Sequence, residues 1–171
     1  MSRVFTAASG VAGVLGTIAI LGLMFQTVAS ALLRTFANAP ISGTLELVGD
    51  VYQPLIVMAG LVTAQQALEH IDAPFIFDKL SDGHKRVWEI VNNLVVALVA
   101  LVIVRFTYVQ AQHDFDIRLT AGIDRVPVWP VSFVVPVAFA VYALQLLYRT
   151  FQLVRGAETL GEPTNEELMG L

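Results

Sequence analysis

The sequence predicts an all-α integral membrane protein of four transmembrane helices, with a short interfacial helix between the second and third. Three observations carry that prediction. Of 171 residues, 56% are hydrophobic and only 14% are charged, against about a quarter charged in an ordinary soluble domain. The mean hydropathy is +0.71, and a globule of this size with so few charges would expose apolar surface it cannot solvate. The apolar residues are also gathered into runs. Val4–Leu33 is thirty positions without an ionisable side chain, Val51–Leu68 is eighteen without a charge, and Val126–Tyr148 is twenty-three. A spanning helix needs about 20 such residues, whereas barrel strands are about ten residues long and alternate.

The first helix is expected over about 8–34. Arg3 before an apolar run, and Ala29-Ser30-Ala31 within it, resemble a secretory signal. A signal's apolar region is about 7–15 residues, however, and this run is twice that, so the reading is an uncleaved span. Pro40-Ile41-Ser42-Gly43-Thr44 forms a turn, one of whose last three residues caps the second helix, over about 44–68. Pro54 offers a site for a kink. In the next connection, Asp72-Ala73-Pro74 reads as a cap and first turn, and Phe75, Ile76, Phe77 and Leu80 beside Asp78 and Lys79 suggest a helix lying in the interface.

The third helix, about 82–112, is the least obvious, because only fifteen residues separate Glu89 from Arg105. It reaches spanning length if Arg105 sits near a membrane face. Lys85, Arg86 and Trp88 then lie at headgroup level as interface anchors. The fourth helix is expected over about 126–150, opening with Val126-Pro127-Val128-Trp129-Pro130, with Trp129 as a further anchor and Pro136 bending it near mid-membrane. These four helices make one membrane domain, 1–155. The remainder, 156–171, is polar with four acids and no base, and reads as a frayed or disordered tail.

An even number of spans puts both termini on one side with the central connection. That side carries Arg3, Lys79, Lys85, Arg86, Arg149 and Arg155, and the other carries Arg34, Arg105, Arg118 and Arg125. The six-to-four excess places the termini in the cytoplasm.

Several function classes drop out. Net charge −4 leaves no basic face for nucleic acid. The absence of cysteine removes disulfides, thiol nucleophiles and thiolate metal sites. His70, His84 and His113 all fall at helix ends or in connections, whereas a bis-histidine haem needs ligands facing each other inside the bundle. Glu69-His70-Ile71-Asp72 and His113-Asp114-Phe115-Asp116 contain metal-ligating residue types, but polar segments at a membrane face have this composition without binding metal. No serine nucleophile elbow, phosphate loop or zinc-protease helix is present. The sequence thus offers neither a catalytic constellation nor a cofactor or metal site.

The remaining candidates are polar residues near the membrane faces: Arg34, Glu46, Asp50, Glu69, His70, Asp72 and Arg105. Arg34 ends the first helix, and Glu46 and Asp50 lie one turn apart on one face of the second. A structural reading has Arg34 snorkelling or pairing with Glu46 while both acids favour the helix dipole; the other reading is contact with a partner protein. No mid-membrane acid or base stands out as an ion-coupling site. Gly10, Gly13 and Gly16 recur every three residues and would let another helix approach closely.

Arg34-Thr35-Phe36-Ala37-Asn38-Ala39-Pro40-Ile41 followed by Glu46 resembles the first periplasmic turn of the small membrane subunit (DctQ-like) of tripartite ATP-independent periplasmic (TRAP) transporters. Ala67-Leu68-Glu69-His70-Ile71-Asp72, Pro127-Val128-Trp129-Pro130 and the overall length also fit. A tryptophan common in the family before the second-helix acid is replaced here by Gly43-Thr44. The resemblance implies a non-catalytic subunit of the bacterial or archaeal inner membrane, surrounded by the lipid bilayer. Its partners would be a large permease subunit, which holds the substrate and sodium sites, and a periplasmic solute-binding protein delivering an organic acid. The small subunit would pack against the permease scaffold and extend it. The alternative is an anchor or assembly subunit of another membrane complex, such as a respiratory enzyme.

Overall fold

The computed structural model describes residues 3–39, 41, 43–67, 82–121 and 126–155. Four helices in it are long and apolar enough to cross a membrane: Phe5–Ala37, Thr44–Gln65, His84–Asp116 and Trp129–Val154. The proposed interfacial helix, Glu69, His70, Asp72, Lys79, Arg125 and the acidic tail lie outside the described residues.

The first span is helix α1 (Arg3–Ala37). It ends at Asn38, whose φ of 50° is tolerated because its short polar side chain suits the left-handed region. The Ala39 amide turns back to the Leu33 carbonyl at 3.3 Å. Gly43, at φ 74°, caps the second span, fulfilling the turn's expected role through backbone freedom rather than a side-chain bond. That span comprises α2 (Thr44–Leu47), a π turn (Val48–Tyr52) and α3 (Gln53–Ala67). The π turn has a cause in Pro54. Proline has no amide hydrogen to give the Asp50 carbonyl one turn earlier, so the coil widens and the Gln53 amide reaches the Val48 carbonyl, five residues back.

The third span, α4 (Asp82–Asp116), persists one turn beyond the expected end. Its 35 residues measure about 52 Å, so it tilts or projects from a hydrocarbon core of about 30 Å. It closes in a Schellman turn, with Leu119 donating to the Asp114 carbonyl at 2.8 Å and Arg118, at φ 48°, donating to the Phe115 carbonyl at 3.1 Å.

The fourth span starts later than expected. Val126 and Pro127 form a short strand, β2 (Val126–Pro127), paired antiparallel with β1 (Thr120–Ala121). Helix begins only at α5 (Trp129–Ser132), is interrupted at Phe133, and continues as α6 (Val134–Val154). Pro136 accounts for the interruption, because it lies four residues beyond Ser132 and cannot donate to that carbonyl. It stands in the first turn of α6, so it breaks the entry of the span instead of bending it near mid-membrane.

The spans pack in the order first, second, fourth, third: α1 lies on α3, α3 on α6, and α6 along α4. They form a row with the first and third at its ends. Small residues set the closest contacts, as expected where lipid removes the hydrophobic incentive for helices to associate. Ala97 and Ala100 of α4 meet Tyr142, Ala143 and Leu146 of α6 in the best-buried cluster. At the other end of the row, Gly13 faces Thr63 and Gly16 faces Ala59. A methyl group at Gly16 would stand 2.8 Å from the Ala59 Cβ. Gly13 and Gly16 thus admit another helix closely, as expected, and that helix is the chain's own second span, whereas a Cβ at Gly10 would meet nothing within 4 Å. Large apolar side chains such as Val11, Leu15, Ile18, Leu98 and Phe106 point outward.

Candidate functional site

Polar side chains gather at both ends of the helices, and the two ends differ in kind. At the end holding the start of α1 and the end of α6, they are buried and bonded to one another. Gln145 Nε2 donates to Ser9 Oγ at 3.3 Å and to the Val62 carbonyl at 3.4 Å, while Ser9 Oγ donates to that carbonyl at 3.4 Å. One node thus ties the first, second and fourth spans. Phe5 and Tyr148 stack obliquely beside it, ring centroids 5.2 Å apart. One turn further along α6, Arg149 Nε meets Glu89 Oε1 at 3.0 Å, joining the fourth span to the third. Glu89 is only 4% exposed. Buried carboxylates require such a partner, because the membrane interior solvates charge poorly. Lys85 and Arg86 are partly buried at the start of α4, and Trp88 is exposed beside them.

The opposite end is open. Arg34 and Glu46, both exposed, line a cavity of about 610 Å³ with Thr27, Ser30, Thr35 and Thr44. They do not pair with each other. Asp50 lines a second cavity, about 330 Å³, with Thr107, Gln110, Asp114 and Ser132. Glu46 and Asp50 were expected to share a face, but the π turn begins between them and they border different cavities. Asp114 is buried and accepts from Gln110 Nε2 at 2.8 Å and Ser132 Oγ at 2.7 Å, fastening the end of α4 to α5. Around it the Phe115 ring meets Trp129 edge-on, centroids 5.1 Å apart, and Phe133 at 6.4 Å. Trp129, expected as an interface anchor, thus packs against Phe115 within the protein. Arg105 is exposed on the outside of α4.

Sequence reading missed Ser9, Glu89, Asp114, Gln145 and Arg149 as a group. A usable signal existed: Glu89, Asn93, Ala97 and Ala100 recur at helical spacing, placing an acid and an amide on the same stripe as small residues that must face a helix.

Among the described residues, no three His, Cys, Asp or Glu side chains converge as metal ligands would. His84 and His113 stand at opposite ends of α4, about 44 Å apart at 1.5 Å per residue, so they cannot ligate one haem within a chain. The polar groups are arranged to hold helices together and to leave one end open.

No curated protein and no solved structure matches the sequence. Residues 23–156, well over half the chain, match the family described as tripartite ATP-independent periplasmic transporters, DctQ component. The matched stretch contains Arg34, Glu46, Asp50, Glu89, Asp114 and Arg149, and it takes in the second, third and fourth spans whole. The chain belongs to the DctQ family and is the small permease component of a TRAP transporter, a multi-pass membrane protein from a family of transporter components and not of enzymes.

Proposed function

We propose that this chain is the non-catalytic scaffold partner of a large permease in a sodium-coupled uptake system for an organic acid, fed by a periplasmic solute-binding protein. The observation that carries this reading is the arrangement of the spans in a row. A transporter acting alone surrounds its substrate near mid-membrane, often with discontinuous helices and inverted repeats. Here the polar contacts between helices lie toward the helix ends, Gln145 with Ser9 and Arg149 with Glu89 at one and Asp114 with Ser132 at the other, and mid-span packing is by alanine, leucine and tyrosine. A row exposes two broad apolar faces, one of which can lie against a larger protein while the other faces lipid.

The chain resides in the cytoplasmic membrane with both termini inside, in keeping with the lysine and arginine count. Arg34, Glu46 and Asp50 then face the periplasmic side and serve assembly, not substrate choice. Reconstitution tests the reading. Uptake of the organic acid requires this chain, the permease, the binding protein and a sodium gradient, without ATP. Full uptake with this chain omitted, or uptake by this chain alone, contradicts it.

A further inference from the structure

The 610 Å³ cavity beside the first turn has a chemistry that goes beyond contact with a partner protein. Its lining includes one cation, Arg34, and one anion, Glu46, both exposed and not within ion-pair distance of each other. Opposite charges held apart across one cavity suit a ligand that carries both. The hydroxyls sharpen the match. Thr35 Oγ1 donates to the Ala31 carbonyl at 2.9 Å, and Thr44 Oγ1 to the Ile41 carbonyl at 2.8 Å. With those hydrogens committed, the Thr35 oxygen presents its lone pairs, and the Thr44 oxygen, which also meets Ser30 Oγ at 3.3 Å, presents one, which an ammonium group can use. Arg34 offers the forked donors that suit a phosphate.

Position supplies the rest. Arg34 lies in the last turn of the first span and Glu46 in the first turn of the second, and ends of spanning helices are where headgroups are met. Leu45, 85% exposed, lines the cavity together with Ala31 and Ile41. These residues give an apolar flank that a free metabolite does not need and an acyl chain does.

We infer that this cavity binds the headgroup of a zwitterionic aminophospholipid such as phosphatidylethanolamine, with the phosphate on Arg34 and the ammonium between Glu46 and the Thr35 and Thr44 oxygens. The lipid would be a fixed component at this turn and not part of the exchanging annulus. The site's two charges also predict selection. An anionic phosphatidylglycerol satisfies Arg34 but leaves Glu46 facing a glycerol with no positive charge.

The test is native mass spectrometry of the full chain released from nanodiscs containing equal phosphatidylethanolamine and phosphatidylglycerol. The wild type is expected to retain the amine lipid about tenfold more, the scale of one charge-assisted hydrogen bond. Glu46→Gln should abolish that preference, and Arg34→Gln should reduce retention of both lipids. Arg105→Gln, at an exposed arginine outside the cavity, should change neither. All three side chains are exposed, so the variants are expected to fold, and unchanged melting temperatures verify it. Equal retention of the two lipids by the wild type overturns the inference. So does a loss with Arg105→Gln as large as with Arg34→Gln, or displacement of the lipid by soluble phosphoethanolamine, which would mark a site for a free small molecule.

Discussion

Gly16 and Gly10 lie on the same stretch of α1, yet the structure separates them. A Cβ at Gly16 would press against Ala59, whose own Cβ belongs to a rigid backbone, whereas one at Gly10 meets nothing within 4 Å. Gly16→Ala should therefore cost about 1–3 kcal/mol, the usual range for overpacking. Gly10→Ala should be neutral or slightly favourable, and thermal unfolding in detergent measures both. The three-residue glycine spacing was visible in the sequence, but not which partner it served, because spacing fixes a face and says nothing about what covers it. Glu89 and Arg149 are the converse case. Sixty residues separate them, and only the fold brings them to 3.0 Å. Glu89→Ala should lower stability by roughly 3 kcal/mol by removing one member of this part-buried ion pair. The double change Glu89→Leu with Arg149→Met should recover most of that loss, and a smaller recovery would mean the pair contributes more than its burial costs.

At the scale of elements, long apolar runs made the spans legible, while their ends depended on backbone chemistry that composition hides. The third span runs on to Asp116 because Arg118 accepts a left-handed backbone and completes the closing turn. Arg118→Gly removes the crowding of a Cβ there and should stabilise the chain by about 1 kcal/mol, read as a raised melting temperature. The fourth span enters late because Pro127 sits in a strand and Pro136 breaks the first helical turn. Both prolines were read as features of a helix, one opening it and one bending it. Fixed φ and a missing amide hydrogen suit a strand edge or a helix entry equally well, so the neighbouring hydrogen bonds decide. Asp114 holds this junction, and Asp114→Ala should cost about 2 kcal/mol through two lost bonds to a charged acceptor. Ser132→Ala, which loses one of the two, should cost less.

For the whole molecule, the fold class and family followed from the distribution of apolar residues and a few turn motifs, whereas the row of helices did not. Helix order depends on which small residues face each other, Ala97 with Ala143 or Gly16 with Ala59, and those pairs are long-range. The polar sites divide the same way. Arg34 and Glu46 were identifiable because they flank a turn, but the cavity between them is a property of two helices diverging. The row bears on the central claim, that this chain is a scaffold whose broad apolar face lies on a larger permease. The direct measurement is co-purification in mild detergent, with the tag on this chain alone and the transporter's genes co-expressed. The account predicts a stable complex of defined stoichiometry with a permease of about ten or more spans. Charge-neutral changes at Arg34, Glu46 and Asp50 should lower its yield without altering which substrate is carried. Recovery of this chain by itself, with the permease pure and fully active in the unbound fraction, would contradict the account.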